Sequence, residues 1–429
     1  MNFILRFRLA ILTGLAITQV FSSVWFVPGG EGIGGSVFRV LLLLLVGVLA
    51  LTTGLRDVSA LTRRGLLAGV LLIGWMMLSL AWSENVAGGL RQISYVATTV
   101  MLIYVLEVLV RGIRDFSFLS AVIVLSSIGI VCFAFYEIQT GNHFSSALLN
   151  IDDHDSSLSY ITQGLAWFTF GNPNDLAVHV MFGCFVAAVY LSGLDWRGLM
   201  VIVFIGVCIY LADQLRARLA MGSMAAFVGV FCASFAHRKA SFGALAAGCA
   251  SVVGALLVVS ALALKDRVEF VDTSSFVRLQ LLTAAIEMSV NTFFAGIGVG
   301  SFETHVSVEG IASKTYGVLS PHNAIGRMLA ENGVIGVALF GYLIFGPLAG
   351  LRQYVRQTRL SAFVAASIAA LPLLFSAGSD PMSASTLSFF VATVWVAARL
   401  ASNVKGRPRQ KAFTERGHSG VQPRLERAL

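Results

Sequence analysis

The sequence predicts an all-α polytopic membrane protein with about 12 transmembrane helices, because three observations agree. First, 57% of its 429 residues are hydrophobic and only 12% are charged, whereas soluble chains are roughly 45–50% apolar and about 25% charged. Second, the apolar residues gather in runs of about 17–25, long enough for a helix to cross a bilayer. Third, Lys and Arg concentrate in alternate connections between those runs, as in cytoplasmic-side loops. The net charge of +8 is spread over short loops and the stretch "NVKGRPRQKAFTERGHSGVQPRLERAL". It therefore points to a membrane surface and argues against nucleic acid as a partner.

The qualifying runs, in order, are 8–28, 37–55, 66–82, 93–110, 117–137, 174–193, 197–212, 219–236, 241–263, 333–350, 360–377 and 383–400. With the first terminus cytoplasmic, 21 of the 30 basic residues fall on the cytoplasmic side, and both ends lie inside. The first run follows Arg6 and Arg8 but ends in "VFSSVWFVPGG" without an A-x-A cleavage signal, so it reads as an uncleaved helix. Residues 1–400 then form one transmembrane domain with two long outer loops, about 138–173 and 264–332. Residues 401–429 form a basic cytoplasmic tail, expected to be disordered near anionic lipid. The five cysteines sit in apolar runs without a CxxC and read as small buried hydrophobes, so no disulfide, metal or cofactor is expected.

Nine basic residues break the cytoplasmic bias. Arg39 and Arg91 lie near helix ends, where long side chains snorkel. Arg216 and Arg218 share a short turn with Asp213 in "YLADQLRARLAMG", and only one of the two can face a given cavity. In "VDTSSFVRLQLLTAAIEMSVNTFF", Ser274 or Ser275 caps an interfacial helix with Phe276, Leu279, Leu282 and Ile286 on its apolar side. Arg278 then stands in the first turn, where a guanidinium and free backbone N–H groups both favour an anion. Two or three outer guanidiniums suit a phosphate ester, and a lipid diphosphate lies at that depth.

"LSPHNAIGRMLAENGVIG" closes the second outer loop. Pro321 suits the first turn of a helix, and Asn323, Arg327 and Glu331 then recur every four residues along one stripe. His322 adjoins that stripe and is the candidate general base, because imidazole accepts a hydroxyl proton near neutral pH. His305 is its nearest rival, while His143 and His154 lie in the other loop. Asp152, Asp153 and Asp155 read as a solvated acidic cluster. Gly296, Gly298 and Gly300 form GxGxG, which reads as a tight turn that lets backbone approach another element. In "FGNPNDLAV", Asn172, Pro173 and Asn174 end the first outer loop, and Asn174 or Asp175 caps the sixth helix. Asn174 is also a candidate sugar ligand.

Four stretches in this order, "FGNPNDLAV", "LRARLAMG", "FVRLQLLTAAIEMSVNTFFAGIGVGSFE" and "PHNAIGRMLAENGVIGVALF", resemble the O-antigen ligase and polymerase superfamily of bacterial envelope glycan assembly. The resemblance covers about residues 165–345, with the N-terminal helices fitting by number and hydropathy only. It implies an inner-membrane, metal-independent, inverting glycosyltransferase with its reaction centre in a periplasmic loop. Such an enzyme moves an oligosaccharide from undecaprenyl diphosphate to an acceptor hydroxyl. Residue by residue, it implies that Arg278 holds the diphosphate, that His322 activates the acceptor, and that the turn arginine is Arg216 or Arg218. The family's Ser-Arg-Gly type of turn is not reproduced by "LRARLAMG", so the register stays open, with Arg216 favoured. Asn323, Arg327 and Glu331 would support the site. The donor is an undecaprenyl-diphosphate-linked glycan, and the acceptor is another repeat unit or lipid A–core. Membrane lipids and a chain-length regulator complete the partners. "FGNPNDLA" followed by this loop favours a polymerase slightly over a ligase.

A lipid or glycan transporter and a passive scaffold are the other classes weighed. Helix interiors nearly free of charge, with Glu107 and Glu137 near ends, favour surface chemistry over passage. A scaffold would not need outer arginines.

Overall fold

The computed structural model describes residues 3–20, 37–53, 58–142, 166, 172–189, 196–215, 217–236, 273–308, 323–351, 359–377 and 385–403. Among them the regular elements are helices, with no strand. They are α1 (Phe3–Val20), α2 (Val37–Thr52), α3 (Ala60–Ser79), α4 (Val86–Leu109), α5 (Ile113–Thr140), α6 (Pro173–Ala188) and α7 (Trp196–Gln214). There follow α8 (Arg218–Ala236), α9 (Thr273–Asn291), α10 (Phe302–Val308), α11 (Ala324–Phe345), α12 (Pro347–Leu351), α13 (Arg359–Ala377) and α14 (Ser385–Asn403). A 3-10 turn, Leu80–Trp82, joins α3 to the bend before α4.

Six of these helices, α3 with its turn, α4, α5, α11, α13 and α14, are long and apolar enough to cross a membrane, and α2, α6, α7 and α8 contribute shorter apolar stretches. The chain is therefore an all-α membrane protein. The ninth run of the sequence, 241–263, lies outside the described residues, as do most of the first outer loop and residues 404–429.

α13 and α14 form the inside of the bundle. Most of the apolar window of α14 is buried, 94%, against 39% for α3 and α5, whose remaining apolar faces suit lipid contact. α13 packs on α8 and α14, and α14 packs on α4. Lipid is as apolar as leucine, so such helices associate through close packing rather than hydrophobic burial. Phenylalanines supply it here: Phe185 stacks on Phe227 at 4.2 Å, and Phe182 lies 4.9 Å from Phe390. Small residues admit large neighbours in the same way. The Trp395 ring lies where a Cβ on Gly65 would meet it at 2.5 Å, and Trp395 Nε1 donates to Leu343 O.

Helix ends are tied by charge at one end of the bundle. Arg399 of α14 lies 3.4 Å from Glu107 of α4 and donates to the backbone carbonyls of Glu107 and Val110. Arg8 of α1 pairs with Asp115 of α5 at 3.1 Å, and Ser59 N, before α3, donates to Glu107 Oε1. The sequence marks Arg8 and Arg399 only as topology signals; both also hold helix ends together.

Three sequence expectations are corrected in this frame. Cys184 and Cys208 are buried, but Cys132 is exposed on the outer surface of α5. The cap of α6 is Asn172, whose Oδ1 accepts Asn174 N at 2.8 Å, so Pro173 takes the first helical position and neither Asn174 nor Asp175 caps. α11 starts at Ala324 rather than at Pro321, because Asn323 is its cap, and its polar first turns extend the apolar run of 333–350 toward the outer loop.

Candidate functional site

The polar residues of "NAIGRMLAENG" converge on a clasp between α11, the bend that joins α3 to α4, and the glycine loop. Asn323 caps α11, its Oδ1 accepting from Ile325 N and Gly326 N, each at 3.0 Å. One turn on, the Arg327 guanidinium is buried between two carboxylates. Its Nε lies 3.2 Å from Glu331 Oε1 and its Nη1 3.3 Å from Glu303 Oε1 on α10. Glu331 is fully buried and also accepts from Gln92 Nε2 and Phe302 N, each at 3.2 Å. The stripe expected of Asn323, Arg327 and Glu331 is thus present, and it serves one another and α10. Beside it, His305 Nε2 stands 3.6 Å from Glu84.

α11 breaks where the sequence runs Glu-Asn-Gly. Gly333 has φ 62, and the carbonyls before it leave the helical ladder. They are recaptured: Ile297 N donates to Ala330 O at 2.9 Å, Gly298 N to Glu331 O at 3.0 Å, and Trp75 Nε1 to Asn332 O at 2.8 Å. Val334 N in turn donates to Phe294 O at 3.0 Å. A break in an apolar helix persists when other protein groups satisfy the freed backbone, as these do.

The glycine loop is the partner. Gly296, Gly298 and Gly300 all have positive φ. A Cβ on Gly296 would stand 2.5 Å from Glu331 O, and one on Gly298 2.7 Å from Ser83 Cα. The tight turn and close backbone approach read from GxGxG are what these three positions provide. A hydroxyl chain locks the far side: Glu84 N donates to Ser301 Oγ, Ser301 Oγ to Ser83 Oγ, and Ser83 Oγ to Val299 O at 2.6 Å.

The remaining sequence candidates divide. His322 and Arg216 lie outside the described residues, as do His143, His154, Asp152, Asp153 and Asp155. Arg278 lies in the second turn of α9, because that helix starts at Thr273, with the Ser274 and Ser275 backbone already inside it. This corrects the expected first-turn placement and removes the free N–H groups from the argument for anion binding there. Val277, Leu281, Ala284 and Met288 of α9 are buried against protein, while Leu279 and Ile286, on the side expected to meet the membrane interface, are exposed. Arg218 is the first residue of α8 and is exposed, as is Asp213 at the end of α7. The main neighbours of α8 are α13, α6 and α7, so that packing does not bring Arg218 to the clasp. Asn174 is half-buried in the first turn of α6.

What the structure does bring together is α9 and the start of α11. Leu282, one turn beyond Arg278, lies 3.0 Å from where a Cβ on Gly326 would stand, and an apolar cluster of Leu281, Met288, Phe302 and Ala330 joins the two helices. The clasp itself holds three carboxylates, Glu84, Glu303 and Glu331, against Arg327 and His305. Arg327 is committed to two of them, so this cluster suits hydroxyl groups better than a diphosphate. Among the described residues no three His, Cys, Asp or Glu side chains converge as metal ligands.

A second buried polar group escaped the sequence reading. Gln19 Nε2 of α1 donates to Thr386 Oγ1 of α14 at 2.6 Å, and His179 Nδ1 of α6 lies 3.2 Å from the same hydroxyl. His179 sits in an unbroken apolar run, "LAVHVMFGCFVAA", so its isolation in sequence was the available signal.

No protein-family model matches the chain, and no curated relative matches it.

Proposed function

We propose that this protein is a membrane glycosyltransferase of envelope glycan assembly. It transfers an oligosaccharide from undecaprenyl diphosphate to an acceptor hydroxyl on the periplasmic side of a bacterial inner membrane. The proposal includes twelve spans, both termini cytoplasmic and the reaction centre in the loop of about residues 264–332. The observation that supports it most is the packing of α9, which bears Arg278, on the first turns of α11, whose cap Asn323 directly follows His322. In this reading Arg278, with Arg216 or Arg218, neutralises the diphosphate, which then departs readily. His322 takes the proton of the attacking hydroxyl as the new glycosidic bond forms with inversion. Asn323, Arg327 and Glu331 fix the start of α11, and Asn174 contacts sugar. No metal is required, because the fixed cations supply the charge.

A polymerase joining repeat units is favoured slightly over a ligase acting on lipid A–core, on the form of "FGNPNDLA". Glycan analysis of cells tests the assignment. Arg278→Ala and His322→Ala should each abolish chain extension or lipid attachment with the protein still in the membrane. Wild-type glycan in both variants would refute the site. Loss of long chains with attachment retained identifies a polymerase, and the reverse identifies a ligase.

One observation favours a transporter as second reading. α11 is broken at Gly333 beside a buried ion pair, and His179 is buried among the helices. Discontinuous helices and buried ionisable groups are features of transport sites. Flux of a lipid-linked glycan in proteoliposomes without glycosyl transfer would establish it.

A further inference from the structure

We infer that the turn formed by Phe293 and Phe294 inserts into the lipid headgroup region and sets the height of the clasp at the bilayer surface. This goes beyond the proposed reaction and does not depend on it. Phe293 is 94% exposed and Phe294 50% exposed, at φ of 51 and 62. A bulky residue is disfavoured in that left-handed region, where glycine or asparagine would serve. The turn is nonetheless well fixed. Phe294 N donates to Ser289 O at 2.7 Å, Ala295 N to Thr292 O at 3.0 Å, and Gly296 N to Thr292 Oγ1 at 3.1 Å. Its conformation therefore holds two aromatic side chains outward.

The surrounding surface identifies the occupant. On α9, Leu279, Ile286 and Val290 are exposed and lie on one stripe that leads to Phe293. On the other side, Phe294 O accepts Val334 N, and Val334 and Ile335 are exposed where the apolar part of α11 begins. The stripe, bordered on α9 by exposed Thr283 and Glu287, leads through the Phe293–Phe294 turn to the outward face of a helix long and apolar enough to cross the membrane. Residues 288–302 contain no Lys, Arg or Asp and no Glu. Trp82, also exposed, donates its Nε1 to Gly296 O at 3.1 Å, and tryptophan is enriched at membrane–water interfaces. An aromatic knuckle continuous with a spanning helix fits phospholipid at the acyl–headgroup boundary.

The test uses the full chain in phospholipid vesicles with p-benzoylphenylalanine placed in turn at positions 293, 294, 334 and 307. Irradiation should give phospholipid adducts at 293 and 294 with a yield matching 334, and none at Ser307, which is exposed on α10. Adducts at 334 but none at 293 or 294 would overturn the inference. Protein–protein adducts at 293 in place of lipid adducts would also overturn it, and would indicate a second chain. Wild-type thermal unfolding and vesicle retention of each preparation show that it is folded and inserted, and adduct formation at 334 shows that the probe reaches lipid from a spanning helix.

Discussion

Arg327 and Glu331 form a buried ion pair one helical turn apart, 3.2 Å from Nε to Oε1, immediately before the break in α11. Removing one member of a buried pair leaves the other charge uncompensated and costs about 3–5 kcal/mol. Arg327→Ala should therefore strongly lower the unfolding temperature of the detergent-solubilised protein. Arg327→Met combined with Glu331→Leu should cost less than the two single changes summed, because each single change strands the opposite charge, although the double variant still leaves Glu303, Gln92 Nε2 and Phe302 N short of a partner. A loss equal to the sum would show that the two charges do not act on each other.

Gly333 and Gly341 lie in the same helix with opposite requirements. Gly333 has φ 62 and its Cβ position collides with the backbone of Phe294 and Ala295, whereas Gly341 has open space. Gly333→Ala should destabilise by more than about 1 kcal/mol. Gly341→Ala should be neutral or stabilise by up to about 1 kcal/mol. Thermal unfolding of the two single variants measures the contrast, and similar shifts would contradict the broken-helix geometry.

Asn323 can be separated as a cap from Asn323 as a substrate ligand. Its Oδ1 accepts two backbone N–H groups, so Asn323→Ala should cost about 1 kcal/mol while Asn323→Asp or Asn323→Ser restores stability. If glycan assembly recovers with the cap, the residue acts through α11. If activity stays lost in a variant of native stability, it touches substrate.

Thr386 is the shared partner of Gln19 and His179 within the bundle. Thr386→Val keeps the shape but removes the hydroxyl, leaving two buried polar groups short of a partner. The expected loss is about 1–3 kcal/mol in thermal unfolding. An unchanged midpoint would mean that this polar group adds nothing to the packing of α1, α6 and α14.

The membrane class and most helix positions were legible in the sequence because hydropathy over some twenty residues directly reflects the bilayer requirement. The glycine turn was legible too, since GxGxG without a strand–helix context leaves close backbone approach as its physical use. The burial of the first turns of α11 was not. The helical stripe of Asn323, Arg327 and Glu331 was visible, but it looked solvent-facing, whereas Arg327, Glu331 and Asn332 are buried through partners on α4, α10 and the glycine loop that lie far away in sequence. Asn172 was missed as the cap of α6 because Asn174 and Asp175 are equally good capping residues, and only the position of Pro173 separates them. The outward apolar side of α9 was legible, but its second apolar side, packed against protein through Val277, Leu281, Ala284 and Met288, was not.

The most direct measurement of the central claim is glycosyl transfer by the purified full-length protein in proteoliposomes, supplied with an undecaprenyl-diphosphate-linked oligosaccharide and chelator. The account predicts a longer glycan or a glycosylated acceptor with release of undecaprenyl diphosphate, and no product from His322→Ala or Arg278→Ala. No transfer by the folded, inserted wild type, or undiminished transfer by both variants, would contradict it.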